Sequence, residues 1–188
     1  MIKEIENLIL SSSDIIKQSV NLSNKIETSV NAITECIQNG NKIILFGNGG
    51  SAADAQHIAA EFIGRFKLER KGYPAIALTT DTSILTSLSN DYSSDIIFSR
   101  QCESLVSKGD VVIGISTSGN SKNVENGLIA SKKNGAIIIG LLGNGGGVLK
   151  NLVDISLIVE SSETPRIQEA HRVIYHIICE LVENELAK

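Results

Sequence analysis

Apolar residues recur at three- and four-residue steps from residue 2 to about residue 37: Ile2, Ile5, Leu8, Ile9, Ile15, Ile16, Val20, Ile26, Val30, Ile33 and Ile37. That period belongs to amphipathic helix, and its length predicts two helices with a break near residues 22–24. Gly40 follows where a left-handed residue closes a helix. Each fully buried Ile is worth about 1.5–3 kcal/mol, so a stripe this long demands more partner surface than one sheet face offers. The pattern then changes. Short apolar runs at residues 43–46 (IILF), 74–79 (PAIALT), 110–116 (DVVIGIS), 136–142 (AIIIGLL) and 155–160 read as buried strands. Between them lie helical segments: residues 52–62, ILTSLS capped by Asp81 or Thr82 and giving way at Asn90 and Asp91, residues 95–106 closed by Gly109, and about 121–133. A final helix starts after Thr164, with Pro165 in its first turn. Strands alternating with helices predict an α/β fold with a five-stranded parallel sheet covered on both faces. The expected organisation is a single domain over residues 1–188, with N-terminal helices over 1–40 and an α/β core over 41–188.

Composition narrows the function. The chain has 188 residues and a net charge of −4, without the basic surplus of a nucleic-acid surface. A phosphorylated small molecule stays open, since N–H dipoles and hydroxyls can meet its charge locally. Cys36, Cys102 and Cys179 are far apart and odd in number, which predicts reduced thiols rather than a zinc knuckle or redox pair. The N-terminus MIKEIENLIL carries charges among its apolar residues and no small-residue cleavage site. Without a signal peptide or membrane span, the expectation is a soluble, cytoplasmic protein.

Candidate chemistry concentrates where strands turn into helices. The stretch KIILFGNGGSAADAQHIAAE runs strand, glycine turn, helix, and aims the helix's unpartnered N–H groups at one spot. His57 and Glu61 project from one side of that helix, four residues apart. The third strand repeats the plan and runs into Ser116, Thr117, Ser118 and Ser121. Four hydroxyls on one turn exceed what capping requires and suit a phosphate without any lysine. Residues 143–147 (GNGGG) read as a flexible turn with no group for chemistry, and the charged residues 66–72 as a solvated loop. On the last helix Gln168, Arg172, Tyr175 and His176 fall opposite the apolar face, with His171 at the border. His57, Glu61, Gln168 and a histidine of that helix offer two nitrogens and two oxygens for a divalent metal such as zinc. Spacing alone leaves His171 and His176 as alternatives.

Two nucleotide readings fail. Gly47-x-Gly49-x-x-Ala52 fits the loose dinucleotide fingerprint, but the acid wanted about twenty residues on is missing and Asp81 comes too late. No G-x-x-x-x-G-K-[ST] loop exists.

The segments GNGGSAADAQHIAAEFIGRF, GYPAIALTTD, SNDYSSDIIFSRQ, DVVIGISTSGNSKNV and RIQEAHRVIYHI resemble the sugar isomerase (SIS-fold) family and, within it, the phosphoheptose isomerases. With the N-terminal helices, the likeness covers essentially the whole chain. It implies an aldose–ketose isomerase that converts D-sedoheptulose 7-phosphate to D-glycero-D-manno-heptose 7-phosphate through an enediol, supplying heptose to lipopolysaccharide or capsule. It implies that Ser116, Thr117, Ser118 and Ser121 hold the phosphate. Asn48, Gly49 and Gly50, with Asn90 and Asp91, would contact the sugar, and Glu61 and Gln168 would also face the substrate. One zinc ion per subunit would be held by His57, Glu61, Gln168 and His176, with Glu61 and His176 as the acid–base pair. The assembly implied is a homotetramer with sites at subunit interfaces. A rival branch of the same fold is a non-catalytic tetramer that binds the replication initiator. That branch lacks acid–base residues at the positions of Glu61 and His176, which this chain keeps. One mild departure from the isomerases is the turn Leu142-Gly143-Asn144-Gly145, where relatives often carry Thr-Gly followed by charges.

Overall fold

The N-terminal stripe folds as two helices, α1 (Ile2–Gln18) and α2 (Ser23–Gln38), in a computed structural model that describes residues 1–188. A 3₁₀ turn at Ser19–Leu22 forms the break, and Gly40 takes a φ of 77° just past α2. The helices differ in burial. α2 inserts Ile26, Val30, Ile33 and Cys36 into the core, whereas α1 buries no residue and leaves Ile2, Ile5, Leu8, Ile9 and Leu10 open to solvent.

Five parallel strands, β1 (Ile43–Gly47), β2 (Ala75–Ala77), β3 (Val111–Ser116), β4 (Ile137–Leu142) and β5 (Ile155–Ile158), make one sheet in the order β2-β1-β3-β4-β5. Successive side chains point to opposite faces. Ile43 and Leu45 therefore join the larger core under α2, α3 (Gly50–Ile63) and α7 (Thr164–Leu186). Ile44 and Phe46 join the smaller one under α5 (Ile97–Leu105) and α6 (Lys122–Lys133). α4 (Thr82–Asp91) buries no residue and packs Leu85 against the edge of the smaller core; it is capped by Asp81, whose carboxylate accepts from the Ile84 N–H at 3.0 Å. From β1 the chain goes to β2 on one side, while β3 lies on the other. The strand order thus reverses between β1 and β3, and in such sheets ligands sit beyond the carboxyl ends of those strands.

Four expectations are corrected. The second strand shrinks to three residues and exposes Ile76, because β2 is an edge with a neighbour on one side only. Residues 66–72 are solvated only in part: Lys67, Leu68, Glu69, Lys71 and Gly72 are exposed, but the buried Glu183 carboxylate binds the N–H groups of Phe66, Lys67 and Leu68. Residues 143–147 are not a loose turn. The Val148 N–H donates to Asn120 Oδ1 and the Leu149 N–H to the Gly119 carbonyl, so the glycines back directly onto the serine turn. Finally, Tyr175 and His171 are buried where α1, α2 and α3 pack against α7, while Arg172, Ile177 and Leu181 of the same helix stay exposed. The three cysteines are free and buried, and burial pushes their thiols up, to about 11 for Cys36 and Cys102 and about 12 for Cys179. No helix is long and apolar enough to cross a membrane.

Candidate active site

β1 and β3 end level, with Gly47 opposite Ile115, so the turns that follow them stand side by side. At the second turn three hydroxyls converge: Ser116 Oγ lies 3.0 Å from Ser121 Oγ and 3.4 Å from Ser118 Oγ. The Gly119 N–H donates to Ser116 Oγ and the Asn120 N–H to Ser118 Oγ, which fixes the loop's curl. Ser121 is the N-cap of α6, yet its hydroxyl makes no capping bond and faces the other serines. The Val124 N–H donates to Asn123 Oδ1, which leaves the N–H groups of Lys122 and Asn123 to a ligand, and an anion is what hydroxyls and a helix N-terminus together favour. Thr117 belongs to the same turn, and its hydroxyl has no partner within the chain.

A reciprocal amide pair ties the two turns together. Asn48 Nδ2 donates to Asn123 Oδ1 at 2.8 Å, and Asn123 Nδ2 donates to Asn48 Oδ1 at 3.0 Å. Gly50 opens α3 directly against the amide of Gln168, where any Cβ would collide with that side chain.

Further along α3, His57 Nε2 lies 2.9 Å from Glu61 Oε1 and 3.4 Å from His176 Nε2 of α7. The ligand atoms of these three residues all fall within 4.8 Å of one another, a geometry able to hold a metal ion. The side chains of His57 and Glu61 are 39% and 23% exposed, open enough for a substrate to reach. Burial first, then the neighbouring His57 charge, hold the His176 imidazole below its ordinary value, which favours the neutral form that binds a metal or accepts a proton. One turn before the triad, the buried Asp54 accepts from Arg172 Nη2 at 3.1 Å and from the Tyr175 hydroxyl at 3.2 Å.

The matching family model is described as SIS domain and covers residues 9–143. The chain is 55% identical over 165 residues to the phosphoheptose isomerase of Geobacter sulfurreducens, 88% of this chain and 87% of that one. With the phosphoheptose isomerase of Geotalea daltonii it shares 51% over 187 residues, 99% and 97% of the two chains. The chain belongs to the phosphoheptose isomerase family. The solved structure of phosphoheptose isomerase GmhA from Neisseria gonorrhoeae matches with a TM-score of 0.93 at 37% identity, covering 98% of this chain and 100% of that one. A phosphoheptose isomerase from Francisella tularensis matches at 0.94 and 32%, with 97% and 98% covered. These relatives lend nothing to the initiator-binding alternative.

For a phosphoheptose isomerase family member, the expected residues fall into three groups. Ser116, Ser118 and Ser121 meet in one nest, with Asn48, Gly49 and Gly50 at the adjoining turn. His57, Glu61 and His176 meet in the triad. Asn90 and Asp91 do neither within one chain: Asn90 Nδ2 donates to Asp91 Oδ1 at the exposed end of α4, the only side-chain bond either makes. Gln168 likewise stands at Gly50 and not beside His176. Asn123 and Glu183 escaped the sequence reading, since nothing in the spacing around them signals a partner so distant in the chain.

Of the two candidate histidines, His176 meets His57, while His171 sits wholly inside the core. Its Nε2–H donates to the Leu142 carbonyl at 3.0 Å and its Nδ1 has no partner. Burial pushes this imidazole down to about 4, whereas the unfolded chain takes up the proton near pH 6.5. The stability contributed by neutral His171 is therefore complete above pH 6.5. As the pH falls from there toward 4 it declines by about 1.4 kcal/mol per unit. Urea midpoints at pH 7 and pH 5 should show a steeper acid loss for wild type than for His171→Gln; equal slopes would contradict the assignment.

Proposed function

We propose that this chain interconverts D-sedoheptulose 7-phosphate and D-glycero-D-manno-heptose 7-phosphate as an aldose–ketose isomerase. The observation that carries the reading is the meeting of His57, Glu61 and His176 on the flank of a helix whose N-terminus opens beside three serine hydroxyls. From Gly50 to His57 is about 10 Å along α3 at 1.5 Å per residue, a reach suited to an open-chain seven-carbon phosphate. The phosphate would sit among Ser116, Thr117, Ser118 and Ser121, and the hydroxyls nearest it would meet Asn48, Gly49 and Gly50. Asn90, Asp91 and Gln168 remain part of the proposed sugar site.

Ketose-to-aldose exchange moves one proton from C1 to C2 and another from O1 to O2, with no net redox change. Glu61 faces His57 through Oε1 and has no intrachain partner at Oε2. That free oxygen takes the C1 proton and returns it at C2, while neutral His176 carries the hydroxyl proton from O1 to O2. The enediol between the two transfers belongs to the substrate.

The donor set fits zinc. Two imidazole nitrogens 3.4 Å apart match the edge of about 3.3 Å expected for a tetrahedral ion with bonds of about 2.05 Å. His57, Glu61 and His176 would hold one Zn2+ per subunit, with Gln168 as fourth donor; His176 would accept a proton only with its Nε2 off the ion. When bound, the ion would polarise the substrate carbonyl and favour negative charge on its oxygen. A fourth ligand from Gln168 accords with a site completed between copies, since its amide within one chain lies against Gly50. The bare apolar residues of α1 support the same homotetramer. Membership of the family supports a cytoplasmic location and supply of heptose to lipopolysaccharide or capsule.

The test is turnover of sedoheptulose 7-phosphate before and after treatment with a zinc chelator. Activity should disappear with the metal and return when Zn2+ is restored. Wild-type protein that shows no turnover with metal supplied would overturn the proposal.

A further inference from the structure

α3 and α7 lie side by side and run in the same direction: Gly50 faces Gln168, Asp54 binds Arg172 and Tyr175, and His57 meets His176. The triad draws its donors from both helices. Its distances therefore depend on the register of two elements that share no backbone hydrogen bond. Asp54 and Arg172 bridge them on the substrate side of the triad.

A second bridge closes the pair where α3 ends. Glu183, two turns past His176, has a side chain only 1% exposed. It accepts from the N–H groups of Phe66 at 3.0 Å, Lys67 at 2.7 Å and Leu68 at 2.8 Å, and from Arg70 Nε at 2.7 Å. Arg70 lies over the Tyr73 ring, 3.9 Å from its centroid. Its Nη2 donates to the Glu61 carbonyl and its Nη1 to the Phe62 carbonyl, each at 2.9 Å. Those are carbonyls of the last turn of α3, which no helical N–H reaches, and a cation there also suits the helix dipole. One guanidinium thus grips the backbone of the residue that carries the proposed base and ties it through Glu183 to α7. The same loop sets Phe66 against the His176 ring, with centroids 5.6 Å apart.

We propose that Arg70 and Glu183 are positioning residues for the isomerase centre: together they fix the end of α3 against α7 and so set where Glu61 and His176 stand relative to each other. The proposal rests on the isomerase reading above. A buried ion pair is seldom a net source of stability, because desolvation offsets the attraction. What this pair supplies is direction, since a planar fork can address two backbone carbonyls and a carboxylate at once. Burial pushes the Glu183 carboxyl up, but the three N–H groups and Arg70 outweigh it and hold the group below its ordinary value, so it stays ionised at neutral pH.

The experiment compares wild type with Arg70→Lys and Glu183→Gln. Three quantities are read: melting temperature, kcat and KM for sedoheptulose 7-phosphate, and Zn2+ affinity by competition with a chromophoric chelator. In both variants kcat should fall and Zn2+ binding should weaken by about tenfold or more. KM should hold within about twofold, because the phosphate grip lies at the other end of α3. Variants with wild-type kcat and zinc affinity but a lower melting temperature would show a structural role only and overturn the proposal. Should Glu183→Gln fail to fold, Arg70→Lys decides, since it keeps the cation and loses the fork. Wild type lacking both turnover and zinc binding would overturn the isomerase reading, and this proposal with it; an active wild type with unaffected variants overturns this proposal alone.

Discussion

Glu61→Gln should lower kcat for sedoheptulose 7-phosphate by about 10²–10⁴-fold, the range a positioned general base supplies, while KM changes little. The amide has nearly the volume of the carboxylate and can still reach His57, so α3 keeps its packing and the phosphate nest is untouched. What disappears is an oxygen able to take a proton from carbon at neutral pH. An amide is also the weaker metal ligand, so the rate must be measured at saturating Zn2+ with the bound metal counted. A large loss at full metal occupancy assigns the proton transfer to Glu61. Undiminished turnover would remove it from that role.

The second large effect is expected at Gly119. Its φ of 67° lies in the left-handed region, and a Cβ there would run into the backbone carbonyl of Gly146. Two backbones meet at this point, so no side-chain rotation relieves the clash. Gly119→Ala must push residues 143–149 away from the serine turn, breaking the bond from the Leu149 N–H to the Gly119 carbonyl and loosening the Gly119 N–H on Ser116 Oγ. The expected outcome is a stability loss of about 2–4 kcal/mol and a KM raised about tenfold or more through lost phosphate contacts. Gly145→Ala is the control. Gly145 has nearly the same φ, 68°, but its Cβ would meet nothing within 4 Å. It should show only the left-handed penalty of about 1–2 kcal/mol with KM unchanged. Equal KM values in the two variants would mean that the close approach at Gly119 does not shape the nest.

What could be read from the residues alone was local. The strands declared themselves as β-branched runs, and both nests were visible because a strand, a turn and a helix N-terminus are contiguous in the chain. His57 and Glu61 were legible for the same reason, being one helical turn apart. The partner from α7 was not. His176 falls on the polar side of the helical wheel and His171 at its border, which does not choose a ligand; the packing of α7 among three other helices sends the first to His57 and the second into the core. The resemblance to relatives, not the spacing, pointed to His176. Tyr175 was taken for a polar-face residue, yet Asp54, 121 positions away, draws its hydroxyl inward. Arg70 was misread for a related reason: it sits in a charge run whose other charges are solvated, and its buried carboxylate partner is 113 residues distant. The reciprocal amides of Asn48 and Asn123 join two turns that sequence order separates by 75 residues.

His57 and His176 stand 119 residues apart along the chain, on helices held together by side chains alone. A molecule in which α7 has peeled away still keeps every rung of its sheet, yet it has lost an ion-binding donor and a proton carrier in the same event. Competence thus belongs to the fully docked form, and an ion spanning the two helices would act as a rivet across that seam.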